Sequence, residues 1–260
     1  MREITMRRAA LDSDEMPPPD KQAGQVMLPD RVSHYLRDVL RMNAGDRVEL
    51  FDGSGRVVEV ELRRISDRHV VAKILSNRTS ERTESPCRIT LFQAMPKGKR
   101  WETLIEKATE LGVTRIVPLE TSRTVVQISD AKVDRKLERW VKIIDSAARQ
   151  SQRTVTPELL APHTVDDALA LLGDAPSFLA HTDERTRSIR DVLDDEQIDA
   201  TGTDVASVWI GPEGGFTAEE VEALLADGVH ACHMGPRILR SETAGIVAVS
   251  LLQAYLGDLA

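Results

Sequence analysis

Two short segments in the C-terminal part of the chain hold most of its chemical potential. The first is Gly211-Pro212-Glu213-Gly214-Gly215-Phe216; the second runs from Gly235 through Pro236, Arg237, Ile238, Leu239, Arg240, Ser241, Glu242 and Thr243 to Ala244. Glycines lack a Cβ, so their backbone amides approach a ligand closely. The second segment adds two arginines, a carboxylate and two hydroxyls beside apolar Ile238 and Leu239, a mixture suited to an adenine-like ring and a charged reaction. Neither segment is a phosphate loop, because the Walker lysine and the dinucleotide spacing are both missing. Plainer readings fit the same residues: a tight turn for the first, an N-cap at Ser241 or Thr243, and surface ion pairs at Arg237 or Arg240. His230, Cys232 and His233 carry metal-ligating atoms. They alternate along a strand and cannot all face one ion, so no metal is expected.

The elements that must position these segments are legible in the apolar pattern. A short apolar run, Ala206 to Ile210, leads into the first glycine turn, and Thr217-Ala218-Glu219-Glu220 opens the next helix with a capping box. A strand from His230 to Met234 leads into the second turn, and an apolar helix follows to Leu256. Upstream, Ile89–Ala94, Ile116–Leu119 and Ser177–Ala180 read as covered strands. Arg100–Leu111 and Lys132–Gln150 carry the helical period. Strands alternating with helices predict an α/β domain, and glycine turns at the carboxyl ends of parallel strands are where such sheets place ligands.

The N-terminal third reads differently. Arg47–Phe51, Arg56–Leu62 and Val70–Ile74 alternate and are separated by turn signals such as Asp52-Gly53-Ser54-Gly55, after a helix predicted over Asp30–Leu40. This predicts a small β-barrel. The polar stretch Asn77–Pro86 reads as a linker, which places the boundaries at 1–80, 81–87 and 88–260.

The formal charge of −8 is unevenly spread. Residues 1–80 carry 14 basic and 13 acidic side chains, residues 81–160 carry 15 and 11, and residues 161–260 carry 5 and 18. Basic residues gathered in the first 160 positions suit a face that meets phosphates, and a merely solvated surface has the same count. Aromatic residues make up only 3% of the chain, which disfavours a base-stacking platform and favours a structured RNA over a single strand. The longest apolar run, Gly245–Leu256, is shorter than the roughly 20 residues of a membrane span. Asp12, Asp14 and Glu15 interrupt what would be a signal peptide, and Cys87 and Cys232 form no Cys-x-x-Cys pair. A cytoplasmic protein is expected.

These motifs resemble the bacterial 16S ribosomal RNA uridine-N3 methyltransferases, a branch of the SPOUT superfamily. The resemblance rests on Ile210 to Phe216 and Met234 to Ala244. It extends to Pro96-Lys97-Gly98, Lys107-Ala108-Thr109-Glu110-Leu111-Gly112-Val113, His34-Tyr35-Leu36-Arg37-Asp38-Val39-Leu40-Arg41 and Leu50-Phe51-Asp52-Gly53. It implies a PUA-like β-barrel followed by a SPOUT-type α/β domain with a C-terminal trefoil knot. The implied activity is transfer of a methyl group from S-adenosyl-L-methionine to N3 of one uridine in 16S rRNA, uridine 1498 in conventional numbering. A non-catalytic PUA-like RNA-binding or ribosome-assembly protein is the alternative.

By position the resemblance assigns the cofactor to Ile210, Gly211, Pro212, Glu213, Gly214, Met234, Gly235, Ile238, Leu239 and Thr243. Because N3 carries a proton, Glu242 is the candidate base, and Arg240 the cation for charge developing on the ring oxygens; an ion pair to a nearby arginine is the other reading of Glu242. RNA contacts fall to Arg7, Arg8, Lys97, Lys99, Arg100, Arg123, Gln150 and Arg153. The family pattern has a glutamate where Arg149 stands, a glycine where Gln152 stands, and a glutamate before Arg123 that is missing here. A homodimer built on the last helix is also implied, with the run Gly245–Leu256 as a suitable surface.

Overall fold

The computed structural model describes residues 6–21, 23–79, 83–124, 130–182 and 186–259. The chain divides into two units, one of residues 1–84 with 148–156, the other of 85–147 with 157–260.

The first unit contains strands β1 (Arg7–Ala10) and β2 (Gly24–Met27), helix α1 (Asp30–His34), and strands β3 (Arg47–Phe51), β4 (Arg56–Ile65) and β5 (Val70–Thr79). They form one five-stranded sheet in the order β1-β3-β4-β5-β2, antiparallel except for the β1–β3 pair. Alternation along β4 turns Val58, Val60 and Leu62 into a core shared with Leu50, Ile74 and Leu36, all fully buried. The helix expected over 30–40 begins at Asp30 but changes at Tyr35 into a π-helical turn ending at Val39, with the Leu40 amide donating to the Tyr35 carbonyl. The expected linker starts too early. Arg78 and Thr79 pair with Val57 and Arg56, so the polar stretch begins as strand; part of the rest, residues 80–82, lies outside the described residues.

Residues 148–156 belong with this sheet although sequence order puts them within the second domain. Ser54 and Val155 bridge in antiparallel fashion, the Gly55 amide donates to the Thr154 carbonyl at 2.9 Å, and the Thr156 amide donates to the Gly53 carbonyl at 2.9 Å.

The second unit is built from β6 (Arg88–Ala94), α2 (Lys99–Glu110), β7 (Val113–Leu119), α3 (Asp130–Gln150, whose last turn joins the first unit), β8 (Glu158–Leu159), α4 (Val165–Leu169), β9 (Ser177–Ala180), β10 (Arg187–Ser188), α5 (Ile189–Asp195), β11 (Val205–Ile210), α6 (Ala218–Ala226), β12 (His230–His233) and α7 (Ser241–Leu256). Its sheet has seven strands in the order β10-β12-β9-β11-β6-β7-β8, and every pairing is parallel. Both faces are covered, as apolar runs without alternation require. On one face Ile89, Leu91, Val208 and Ile210 pack with Leu104 and Ala108 of α2 and with Ala248, Val249 and Leu252 of α7. On the other, Phe92 stacks on Trp209 with ring centroids 3.9 Å apart, beside Leu224 of α6. The Trp209 indole donates to the Ser177 hydroxyl at 2.9 Å, so the buried N–H is satisfied. Among the described residues, no helix is long and apolar enough to cross a membrane.

Candidate active site

Parallel strands deliver their carboxyl ends to one edge of the sheet, where four loops meet: Met95–Gly98 after β6, Glu120–Thr124 after β7, Gly211–Thr217 after β11 and Met234–Arg240 after β12. The turn after β11 is shaped by its glycines. A Cβ on Gly211 would lie 3.0 Å from the Phe216 ring, and Gly215 has φ +69. Arg123 clamps this turn from the β7 loop, donating to the carbonyls of Gly214 at 2.8 Å and Phe216 at 3.3 Å. The capping box closes it on the helix side, with the Thr217 hydroxyl accepting from the Glu220 amide and the Glu220 carboxylate from the Thr217 amide. The other Glu220 oxygen accepts from the Ser122 amide at 2.8 Å, so one glutamate holds two of the loops together.

The second turn leads into α7. Gly235 has φ +112, Leu239 packs on the core, and Ile238 is 87% exposed. Arg240, not Ser241 or Thr243, is the N-cap residue; its side chain and that of Thr243 are exposed. The Ser241 hydroxyl has a different task. It donates to the Gly211 carbonyl at 2.7 Å and accepts from the Gln93 amide at 2.9 Å. Gln93 stands on the last turn-ward residues of β6, fully buried, and also donates to the Ala94 carbonyl. Two hydrogen bonds among Gln93, Ser241 and Gly211 therefore tie β6 to the first glycine turn and to the start of α7. Gly245 makes room for it, because a Cβ there would meet the Gln93 oxygen at 2.4 Å.

Glu242 follows Ser241 on the first turn of α7. Its side chain is 14% exposed, one carboxylate oxygen lies 3.7 Å from Arg100 Nε, and the other is buried with no hydrogen-bond partner. Arg100 also lies 3.6 Å from Glu213, so one guanidinium faces a carboxylate from each side. A buried carboxylate oxygen without a donor is costly unless something else supplies one. It marks the point at which a proton or a polar ligand atom fits.

Ile210 and Pro212 are buried, Met234 is partly buried on the core, and Glu213 and Gly214 are exposed. Lys97 and Lys99 are exposed in the β6 loop and at the start of α2, Gln150 is exposed at the end of α3, and Arg7 is exposed with its guanidinium on the Leu40 carbonyl. Two of the positions expected to meet phosphates are instead turned inward. Arg8 is 8% exposed, stacked 4.3 Å from the Phe51 ring centroid, and 3.3 Å from Glu49; burial pushes its pKa down while Glu49 and Glu84 act against that. Arg153 is 2% exposed and bound to Glu84 at 2.7 Å, and the same carboxylate accepts from the amides of Thr154 and Val155. A guanidinium so enclosed holds its own fold rather than a phosphate.

Among the described residues no three His, Cys, Asp or Glu side chains are grouped to hold a metal. Cys232 is buried on β12, and burial pushes its thiol up to about 12. Gln93 and Gly245 escaped the sequence reading. The available signal was a lone amide near the end of an otherwise apolar strand.

The chain matches the model of an RNA methyltransferase domain over residues 83–253 and that of an RNA methyltransferase PUA domain over residues 28–75. Ribosomal RNA small subunit methyltransferase E of Bacillus subtilis is 33% identical, over 84% of this chain and 86% of that protein. The protein of the same name from Synechocystis is 35% identical, over 86% and 71%. Among solved structures, ribosomal RNA small subunit methyltransferase E of Neisseria gonorrhoeae, bound to S-adenosyl methionine, is 30% identical, with a TM-score of 0.82 over 98% of this chain and all of that one. A Legionella pneumophila protein in complex with the cofactor SAM is 33% identical, with a TM-score of 0.81 over the same shares. A family model covering most of the chain and relatives above 30% identity across more than four-fifths of it agree, and the chain belongs to the ribosomal RNA small subunit methyltransferase E family of RNA methyltransferases.

Proposed function

We propose that this chain methylates N3 of a single uridine in 16S rRNA, uridine 1498 in conventional numbering, through the two glycine turns and the start of α7. At the coarser level it is an S-adenosylmethionine-dependent methyltransferase of small-subunit ribosomal RNA, and the reading as a non-catalytic binding protein is set aside. The observation that carries the finer reading is the partnerless buried oxygen of Glu242, at the start of the helix that follows the open turn at Gly235.

The residues present fit the cofactor. Gly235 has open space where a Cβ would stand, and the partly buried Met234 and Leu239 offer apolar surface to an adenine ring, with Ile210, Gly211 and Gly214 placed beside them in the proposed lining. Pro212, Glu213, Ile238 and Thr243 complete the proposed lining. S-adenosylmethionine supplies an electrophilic methyl group when bound. The chain's own work is orientation and proton removal. Glu242 accepts the N3 proton at its buried oxygen, and Arg240 stabilises negative charge on the ring oxygens. Exposed Arg7, Lys97, Lys99, Arg100, Arg123 and Gln150 remain the proposed RNA contacts, whereas Arg8 and Arg153 leave that set because they are buried.

Purified chain, small ribosomal subunits lacking the modification and methyl-labelled S-adenosylmethionine test the assignment. Nucleoside digestion and mass spectrometry are expected to place the label on 3-methyluridine alone; label on another base or on ribose overturns it. A cytoplasmic location follows from the substrate. The proposal includes a trefoil knot: α7 follows β12, yet packs against β6 and β11 on the far side of β9, so the chain must cross back over the sheet. It also includes a homodimer, since Ile246, Val247 and Leu251 of α7 remain partly exposed and Tyr255 is 39% exposed. Sedimentation showing a fully active monomer at micromolar concentration removes the dimer.

A further inference from the structure

Helix α3 carries a second pattern besides its apolar stripe. At about 100° per residue, Lys132, Arg135, Lys136, Arg139 and Lys142 fall within an arc of roughly 120°. Asp134, Glu138 and Asp145 lie outside that arc, and Trp140 and Ile144 are buried, with Trp140 edge-on to Trp101 of α2 at 5.2 Å between ring centroids. Lys132, Arg135, Arg139 and Lys142 are exposed, and Lys136 is half-buried. Among the described residues only Arg139 has an ion-pair partner, Glu102 at 2.7 Å. Over the ten steps from Lys132 to Lys142 the helix rises about 15 Å. The result is an uninterrupted positive ridge on a chain whose formal charge is −8.

We infer that this ridge is a phosphate-binding surface that grips the ribosomal RNA backbone while the glycine turns hold the target base. The inference rests on the proposed function, which supplies the polyanion. Like charges placed side by side on one helix face repel one another and destabilise the helix, so their grouping here is explained by a partner that neutralises them. An RNA backbone does this along a line and releases counterions as it binds. Long, flexible lysines without fixed partners suit contact with phosphates, which carry no sequence information, better than base reading.

The test substitutes Lys132→Gln, Arg135→Gln, Lys136→Gln and Lys142→Gln together, leaving Arg139 on Glu102. Glutamine is a good helix former, so α3 persists, and a companion variant with Lys132→Arg, Lys136→Arg and Lys142→Arg restores the charge by another side chain. Binding of 16S rRNA is measured from low to moderate salt, with S-adenosylmethionine affinity and thermal midpoint as controls. If all four positions touch phosphate, the log–log salt slope falls by about 3 in the glutamine variant. The arginine variant keeps the wild-type slope, and cofactor affinity stays within about two-fold in both. A glutamine-variant slope within about 0.5 of wild type overturns the inference, whether the ridge meets an acidic protein or only solvent. Loss of slope in both variants also overturns it, because charge is then not the cause. If the unaltered chain binds 16S rRNA without salt dependence and transfers no methyl group, the proposed function fails first and this inference falls with it. Methylation by the unaltered chain, beside an unchanged slope in the glutamine variant, rejects the ridge alone.

Discussion

Glu242→Gln separates two roles of this carboxylate by magnitude. The pair with Arg100 is 3.7 Å long, beyond hydrogen-bonding distance, and Arg100 is 45% exposed. A pair of that kind contributes at most about 1 kcal/mol. Its loss shifts the thermal midpoint of a chain this size by about 2–4 °C. General-base catalysis is worth roughly 100- to 10,000-fold in rate, or about 2.7–5.5 kcal/mol of transition-state free energy. The amide keeps the size and hydrogen-bonding reach of the carboxylate but loses its basicity. The expected outcome is a single-turnover methylation rate lowered by about 100-fold or more at saturating rRNA and cofactor, with S-adenosylmethionine affinity within about three-fold of wild type. Stopped or quenched single-turnover assays with labelled cofactor read the rate directly, and calorimetry reads the affinity. A rate within a few-fold of wild type, accompanied by weaker cofactor binding and a lower midpoint, refutes the base and leaves Glu242 as a member of the Glu213–Arg100–Glu242 ion pairs.

Gly245→Ala must push the Gln93 oxygen from 2.4 Å to an ordinary contact of about 3.4 Å. Overpacking costs about 1–3 kcal/mol against roughly 1 kcal/mol gained in helix propensity, so calorimetry is expected to find a net loss of up to about 2 kcal/mol together with weaker cofactor binding through the broken Gln93–Ser241–Gly211 chain. Arg7→Ala is expected to lower the salt slope of rRNA binding by about one unit, whereas Arg8→Ala is expected to cost about 1–3 kcal/mol of stability in denaturant titration with no change of slope. Burial raises the thiols of Cys87 and Cys232 from an ordinary 9.0 to about 11 and about 12. Protons are thus held more tightly in the folded chain, so the stability they contribute is full below pH 9 and is lost as pH rises from there through 11 and 12; at neutral pH neither thiol is expected to react with alkylating reagents until the chain unfolds.

Signals confined to a few neighbouring residues were readable before any coordinates. The box at Thr217 and Glu220 and the glycine turns depend on contacts within a handful of positions, and the limits of β3 and β9 follow from local apolar runs bounded by polar residues and turns. What escaped depends on partners far apart in sequence. Gln93 reaches Ser241 across 148 positions, and Glu84 reaches Arg153 across 69; no local periodicity encodes either contact. Gln152 lies between these cases. The resemblance implies glycine there, and the structure gives the position φ +63, a left-handed backbone that costs a side chain about 1 kcal/mol or more. The departure from the pattern thus keeps the turn that glycine would favour and bears a strain that glycine would not.

Charge shows most plainly why composition and geometry diverge. Counting along the chain places Arg8, Arg153 and the lysines of α3 in one basic region, as though each had the same use. In the folded chain, Arg8 and Arg153 turn inward onto Phe51, Glu49 and Glu84, where burial makes a positive charge expensive unless paired. Among the described residues Lys132, Arg135, Lys136 and Lys142 have no such pairing, and they share a helix face because Arg135, Lys136 and Lys142 stand three, four and ten positions after Lys132. A run of residues announces how much charge is available. Only the helical angle and the presence of a buried acid decide whether that charge tethers one's own backbone or is left over for a polyanion.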